Sequence, residues 1–314
     1  MPVSIADAES LLAVDVGAVT SRAALFDVVD GSYRFIASGQ APSTASAPFR
    51  DISEGVHLAI QQLQGITGRV FLNSDQYLII PSQDGRGVDS FAATISAGPS
   101  VKTVVIGLLD DVSIESIQRL AHSTYARVIE TIGLNDPRQA DEQLDSILRL
   151  RPDLILIAGG TDGGATRSVQ GMIELTALAC HLLPGHNRPA VLYSGNQSIS
   201  KEVKIMLHQH VSALAISPNI RPSLEVEDLQ PAQQALADLY TQIRCNQMGG
   251  VQELNTWANG NALPTAFAFG RIIRFLSEIY DTGKGILGID LGASATTMAV
   301  GFGGMIRYDF VFGM

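Results

Sequence analysis

The chain opens on an apolar run, LLAVDV at residues 11–16, closed by Gly17; a short apolar run ended by a glycine predicts a buried strand. Residues 21–29 and 33–38 predict two more strands, and Asp30-Gly31 between them suits a tight hairpin turn. Over residues 51–63 the pattern changes: Ile52, Val56, Ala59, Ile60 and Leu63 recur at the spacing of one helical face. Residues 73–100 are rich in Asp, Gly, Ser and Pro and predict an elaborated loop or a small subdomain.

From residue 102 strand and helix patterns alternate. Strands are expected at 102–108, 127–132, 153–158, 189–193 and 212–216, and helices at 113–124, 138–150, 165–182 and 198–210. This alternation predicts a mainly parallel sheet with helices on both faces. Residues 217–229 have two prolines and no clear period, which predicts a linker; helices follow at about 231–245 and 265–280, and 245–264 is too rich in Gly and Asn to assign. Trp257 and the stripe Phe267, Ile272, Phe275, Leu276 and Ile279 are expected in the core.

The end of the chain repeats its start. LAVDVGAVTSRAAL at 12–25 aligns without gaps with LGIDLGASATTMAV at 287–300, so that Asp15 meets Asp290, Gly17 meets Gly292 and Ser21 meets Thr296. Another strand, a Gly303-Gly304 turn and a third strand follow. The closing apolar run FVFGM, with no helix to cover it, predicts that a second module continues beyond it. The expected organisation is therefore 1–100 around the first hairpin, 101–230 as βα repeats, 231–286 as a helical segment and 287–314 as the start of a second hairpin module.

Composition narrows the function classes. The 314 residues carry a net charge of −10, 46 % apolar and 17 % charged residues, which fits a globular protein with large cores and argues against nucleic acid or an anionic membrane surface as partner. Cys180 and Cys245 lie far apart outside any metal-binding spacing, so neither a disulfide nor structural zinc is expected. Residues 1–10 contain Asp7 and Glu9 and no basic stretch, and no apolar run is of membrane length; a cytoplasmic protein is expected.

Two motifs carry candidate chemistry. In Asp15-Val16-Gly17-Ala18-Val19-Thr20-Ser21, Gly17 allows close backbone approach, successive N–H groups and hydroxyls can cradle a phosphate, and Asp15 is placed to hold Mg²⁺ through water. One such turn is a weak signal, but the matching turn at 290–297 strengthens it; the competing explanation is that both glycines only make hairpins. The second motif is Gly159-Gly160-Thr161-Asp162-Gly163-Gly164 between an apolar strand and a helix, where backbone N–H groups can face a ligand. Its competing explanation is a tight turn capped by Asp162 or Thr166. Asn196, in the YSGN sequence after the next strand, belongs to the same side of the sheet. The chain has neither a dinucleotide fingerprint nor a Walker loop.

Together LLAVDVGAVTSRAALFDV, SAGPS with VVIGLL, PDLILIAGGTDGGATR, VLYSGN and FGRIIRFLSEIYDTGKGILGIDLGASATT resemble the glutamate mutase L family, which is unrelated to the mismatch-repair protein of similar name. The resemblance covers nearly the whole chain, and AGGTDGG is its most specific part. It implies an actin/Hsp70-like ATPase fold: a ribonuclease H-like hairpin sheet, a doubly wound parallel sheet and the start of a second hairpin module. It further implies ATP and Mg²⁺ as cofactors, and an accessory, chaperone-like role toward an adenosylcobalamin-dependent glutamate mutase. On this resemblance Asp15, Gly17, Thr20 and Ser21 form a first phosphate loop, 159–164 an adenosine-side motif, and Asp290, Gly292, Ser294 and Thr296 a second phosphate loop; Asp15 and Asp290 are the catalytic candidates.

The sequence departs from the family pattern at Ala18-Val19, where a Ser-Thr pair is common, and at Arg22, where a Lys is common. Fewer hydroxyls and an altered cation weigh against efficient hydrolysis. The second phosphate loop also follows the adenosine motif rather than preceding it, so either the connectivity is unusual or residue 287 begins a second copy of the fold. Two rival readings stay open. One is a doubly wound ligand-binding or scaffold module without ATPase activity; the absence of DxHxxG weighs against base-off cobalamin as its ligand. The other is a small-molecule kinase with Asp162 as base.

Overall fold

The computed structural model describes residues 9–281 and 283–312, with side chains to Tyr308. Strands β1 (Ser10–Val16), β2 (Thr20–Val29) and β3 (Ser32–Pro42) form an antiparallel meander. Asp30 and Gly31, at φ 54° and 72°, turn β2 into β3 as the dipeptide predicts. Helix α1 (Ser53–Thr67) buries Val56, Ala59, Ile60 and Leu63 against Leu12, Val14, Val16, Ala23 and Leu25. It lies directly on the strand backbone: a Cβ at Gly39 would stand 2.2 Å from the Ala59 carbonyl oxygen.

The loop expected over 73–100 contains a strand. β4 (Ser90–Ile95) runs parallel to β1, in register from Leu11↔Ser90 to Val16↔Ile95. The sheet is completed much later by β10 (Leu263–Pro264), parallel to β4, giving the order β10-β4-β1-β2-β3.

Between these two neighbours the chain builds a second sheet. β5 (Val101–Ile106), β6 (Ala126–Ile132), β7 (Leu154–Ile157), β8 (Ala190–Tyr193) and β9 (Ala213–Ile216) are all parallel, in the order β6-β5-β7-β8-β9. Strands β7 and β8 are buried at every residue, the signature of a sheet covered on both faces. Helices α2 (Glu115–Ala121) and α6 (Gln230–Gln247) cover one face, and α3 (Ala140–Leu150), α4 (Arg167–Leu182) and α5 (Ser200–Leu207) the other. The helix expected from 113 is preceded by a wide turn over Asp110–Ile114, where the Ser113 hydroxyl accepts from the backbone N–H groups of Leu108 and Leu109.

The 231–286 segment is shared between bodies. α6 packs on the parallel sheet, whereas Met248 and α7 (Val251–Trp257) complete the first core. Arg244 near the end of α6 is fully buried, lies 4.7 Å from the Tyr240 ring centroid and donates to the Pro99 carbonyl at 2.5 Å, so it pins the link between β4 and β5.

Helix α8 (Thr265–Ile279) leads to a third sheet of β11 (Ile286–Leu291), β12 (Ala295–Phe302) and β13 (Met305–Phe312). The apolar stripe expected to be core on α8 is only partly so: Phe267 is buried, but Ile272, Phe275 and Ile279 are exposed. The third sheet repeats the first three strands, with one difference. Leu12, Val14 and Val16 are buried beneath α1, whereas their counterparts Leu287, Ile289 and Leu291 are exposed. Among the described residues no helix is long and apolar enough to cross a membrane. The last residues of the closing run FVFGM lie outside the described part.

Candidate functional site

The two aligned turns have the same construction. The Gly17 N–H donates to the Thr20 carbonyl at 3.0 Å, and the Gly292 N–H to the Ala295 carbonyl at 3.0 Å. A Cβ at either glycine would come within 2.9 Å and 2.8 Å of that same carbonyl oxygen. The turn itself thus demands glycine at both places, which accounts for the conserved spacing between the two halves without a ligand.

The alternation of side chains along a strand then sorts the candidates. Asp15 pairs across with Arg22 and shares its face; Asp290 pairs with Thr297 and shares its face. Ser21 pairs with Val16 on the opposite face, where its buried hydroxyl lies against Gly55 of α1. Thr296 likewise pairs with Leu291, away from Asp290. The sequence alignment of Ser21 with Thr296 is correct, but both point away from the acidic face of their turns. Thr20 is half-buried beside the first turn, and Gly292 and Ser294 are exposed in the second.

Asp15 is held in place by residues that sequence reasoning missed. Its Oδ1 accepts from Thr94 Oγ1 of β4 at 2.6 Å and from Thr265 Oγ1 at the start of α8 at 3.0 Å. Neither contact involves Oδ2. Tyr125, immediately before β6, is buried and shares a hydrogen bond with Thr297, and both Asp15 and Asp290 lie within electrostatic reach of its phenol. Burial first, then the neighbouring Tyr240 and the two carboxylates, push that phenol well above its usual range, so it stays protonated and able to donate. The two turns therefore converge on one residue of the parallel-sheet domain. No sequence pattern marks Tyr125; Thr94 could have been found only by recognising β4.

The glycine-rich turn lies elsewhere. Tyr125 precedes β6, at the edge of the parallel sheet where its strands begin, whereas residues 159–164 follow β7 at the opposite edge. A strand of four residues alone separates these edges by about 13 Å. Residues 159–164 and the Tyr125 side that the two acidic turns approach thus lie at opposite ends of the parallel strands.

At its own edge the glycine-rich turn is closely knit. Asn196, fully buried, accepts at Oδ1 from the N–H of Gly163 (3.3 Å) and Ser198 (3.0 Å) and from the Ser198 hydroxyl (2.8 Å). Asp162 accepts from the Gln197 N–H and the Asn219 amide, both at 3.0 Å, and Asn219 also donates to the Gly160 carbonyl. Gly160 and Gly163 have φ of 70° and 73°, and a Cβ on Gly164 would meet Thr161 at 2.5 Å. These polar groups hold one another, and the glycines serve the packing of the knot. Among the described residues no three His, Cys, Asp or Glu side chains come together as a metal site.

Comparison with known proteins draws on most of the chain. Residues 11–302 match the model of the family described as MutL protein. The curated Protein MutL of Clostridium tetanomorphum is 25 % identical over 207 residues, covering 65 % of this chain and 43 % of that relative; the match thus spans less than half of the relative's length. A solved glycerol dehydratase reactivase aligns with 52 % of this chain and 28 % of its own at 17 % identity, with a TM-score of 0.17, too low to carry any argument. On the match from residue 11 to 302, the chain belongs to the MutL protein family, that of glutamate mutase L.

Proposed function

We propose that the chain is a cytoplasmic nucleotide-binding accessory protein of the actin/Hsp70-like ATPase superfamily, assisting an adenosylcobalamin-dependent glutamate mutase. The observation that carries the reading is the pair of like-built turns whose carboxylates, Asp15 and Asp290, both act on Tyr125. Sheet order supports it: a three-stranded meander extended on the β1 side by two parallel strands is the ribonuclease H-like arrangement, and the third sheet repeats its first three strands. The link to a mutase rests on family membership alone.

In this reading ATP phosphates lie between the two turns. Asp15 keeps Oδ2 for a water of Mg²⁺, an ion that retains several waters and takes its other ligands from phosphate oxygens. Arg22 shares the Asp15 face and enters no ion pair among the described residues, so it is available to a phosphate. Phosphoryl chemistry depends mainly on such positioning and charge neutralisation. Residues 159–164 are left out of the nucleotide site and act as a structural knot. That knot favours the second reading, a scaffold module in which the parallel-sheet domain meets a partner without nucleotide turnover.

Calorimetric titration with ATP and ADP, with and without Mg²⁺, tests the proposal. Mg²⁺-dependent ATP binding supports it. Binding without turnover favours the scaffold reading, and no binding of either nucleotide defeats the nucleotide proposal.

A further inference from the structure

A cleft lies where the N-terminal end of α6, the outer side of α8 and β13 meet. It has two joined lobes of about 590 Å³ and 450 Å³ that share Asp228, Gln230, Gln233, Arg274, Ile306 and Tyr308. These volumes suit a small organic molecule. The lining is unusual for a chain of net charge −10, because it gathers Arg119, Arg271, Arg274 and Arg307.

Two of the three acids beside them are ion-paired, and the third, Asp228, caps the start of α6. Glu227 is held by Arg119 at 2.5 Å and by Arg221 at 3.4 Å, Glu278 pairs with Arg274 at 3.4 Å, and Asp228 accepts from the Gln230 N–H at 3.2 Å. Arg271 and Arg307 enter no ion pair among the described residues. Tyr308 rests its ring on Gly270, where any Cβ would come within 2.1 Å of it. Burial pushes its phenol up to about 12, against the pull of Arg274 and Arg271, so it remains a donor at neutral pH. Phe267 and Phe275 supply an apolar wall to the larger lobe.

We propose that this cleft binds a small organic oxyanion, a carboxylate or phosphate on a compact apolar body, with Arg271 of the larger lobe and Arg307 of the smaller lobe supplying its charge recognition. Guanidinium groups match such oxyanions geometrically, and a cleft bounded by apolar walls strengthens the attraction. This site is separate from the Asp15 turn and does not depend on the nucleotide reading.

The probes are benzoate, phenyl phosphate and the neutral isostere benzamide, titrated calorimetrically into the full chain. The anions are expected to bind and benzamide not, with affinity falling as salt rises; the tighter of the two anions identifies the natural head group. The double variant R271Q/R307Q changes two exposed residues and is expected to keep its melting temperature while losing at least about tenfold in anion affinity. Equal binding of benzamide, or unchanged anion affinity in the double variant, overturns the proposal. Loss of MgATP binding in that variant also overturns it as a separate site, whereas a D15N chain that loses MgATP and keeps benzoate supports it.

Discussion

Replacing Asp15 separates two roles that its geometry combines. Its Oδ1 takes hydroxyl bonds from Thr94 and Thr265, which tie β1 to β4 and to the start of α8. Asp15→Ala removes both. Bonds to a charged acceptor contribute about 1.5–3 kcal/mol each when buried, and this carboxylate is half-exposed, so a total loss of about 2 kcal/mol is expected. For a chain of this size that corresponds to a fall of about 3 °C in melting temperature. Asp15→Asn keeps an acceptor for the threonines and should cost about 1 kcal/mol or less. Both variants lose the negative charge on Oδ2, so both should lose the Mg²⁺-dependent part of ATP affinity, about 1.5–3 kcal/mol or roughly tenfold to a hundredfold. Calorimetric melting and titration with ATP in the presence and absence of Mg²⁺ read the two effects independently. A D15N chain that binds MgATP as the unaltered protein does would refute the metal role. A D15A chain that melts at the original temperature would refute the structural one.

Three further outcomes follow from particular contacts. Gly39→Ala should destabilise the first sheet by about 1–3 kcal/mol, toward the upper end because the methyl would meet α1 backbone at 2.2 Å; chemical denaturation measures it, and a neutral result means that α1 can ride up freely. Asn196→Ala leaves the N–H groups of Gly163 and Ser198 without their acceptor and should speed amide exchange there, with MgATP affinity unchanged; weakened affinity would return residues 159–164 to the nucleotide site. Arg138 holds Asp136 below the usual carboxylate range, and does the same for Glu130, where burial pushes upward but the bonds from Arg138 and Ser146 outweigh it. Carboxylates lowered in the folded state stabilise it above their ordinary range and lose that contribution as pH falls through the lowered values. Arg138→Ala should therefore cost about 1–2 kcal/mol at pH 7 and progressively less toward pH 3; a pH-independent difference would exclude the linkage.

Periodicity revealed most of the architecture because its strands and helices bury regular faces. The parallel strands, the two hairpins and their shared turn were all legible. β4 was hidden by the turn-forming residues before it, and its strand character is settled by pairing with β1, far away in sequence. β10 is two residues long and exists only as a neighbour of β4. The outer α8 stripe misled for a related reason: helical spacing shows that Ile272, Phe275 and Ile279 share a face, but not whether anything packs on it. At the candidate site, motif spacing located both acidic turns, but side-chain direction reversed the value of Ser21 and Thr296. The glycine-rich motif was conspicuous because a knot as tight as that around Asn196 admits few side chains.

The insertion between β4 and β10 also orders events during folding. Joining these adjacent strands requires the chain to return from Leu263 to Ile95 across the entire parallel-sheet domain. If that stretch were still unfolded, closing so long a loop would oppose the pairing; once it is compact, its own fold delivers the two ends to one place. The first sheet, although it opens the chain, is then expected to gain its full set of strands late. Thr265 follows β10 immediately, so the second hydroxyl partner of Asp15 is delivered by the same return of the chain that adds β10.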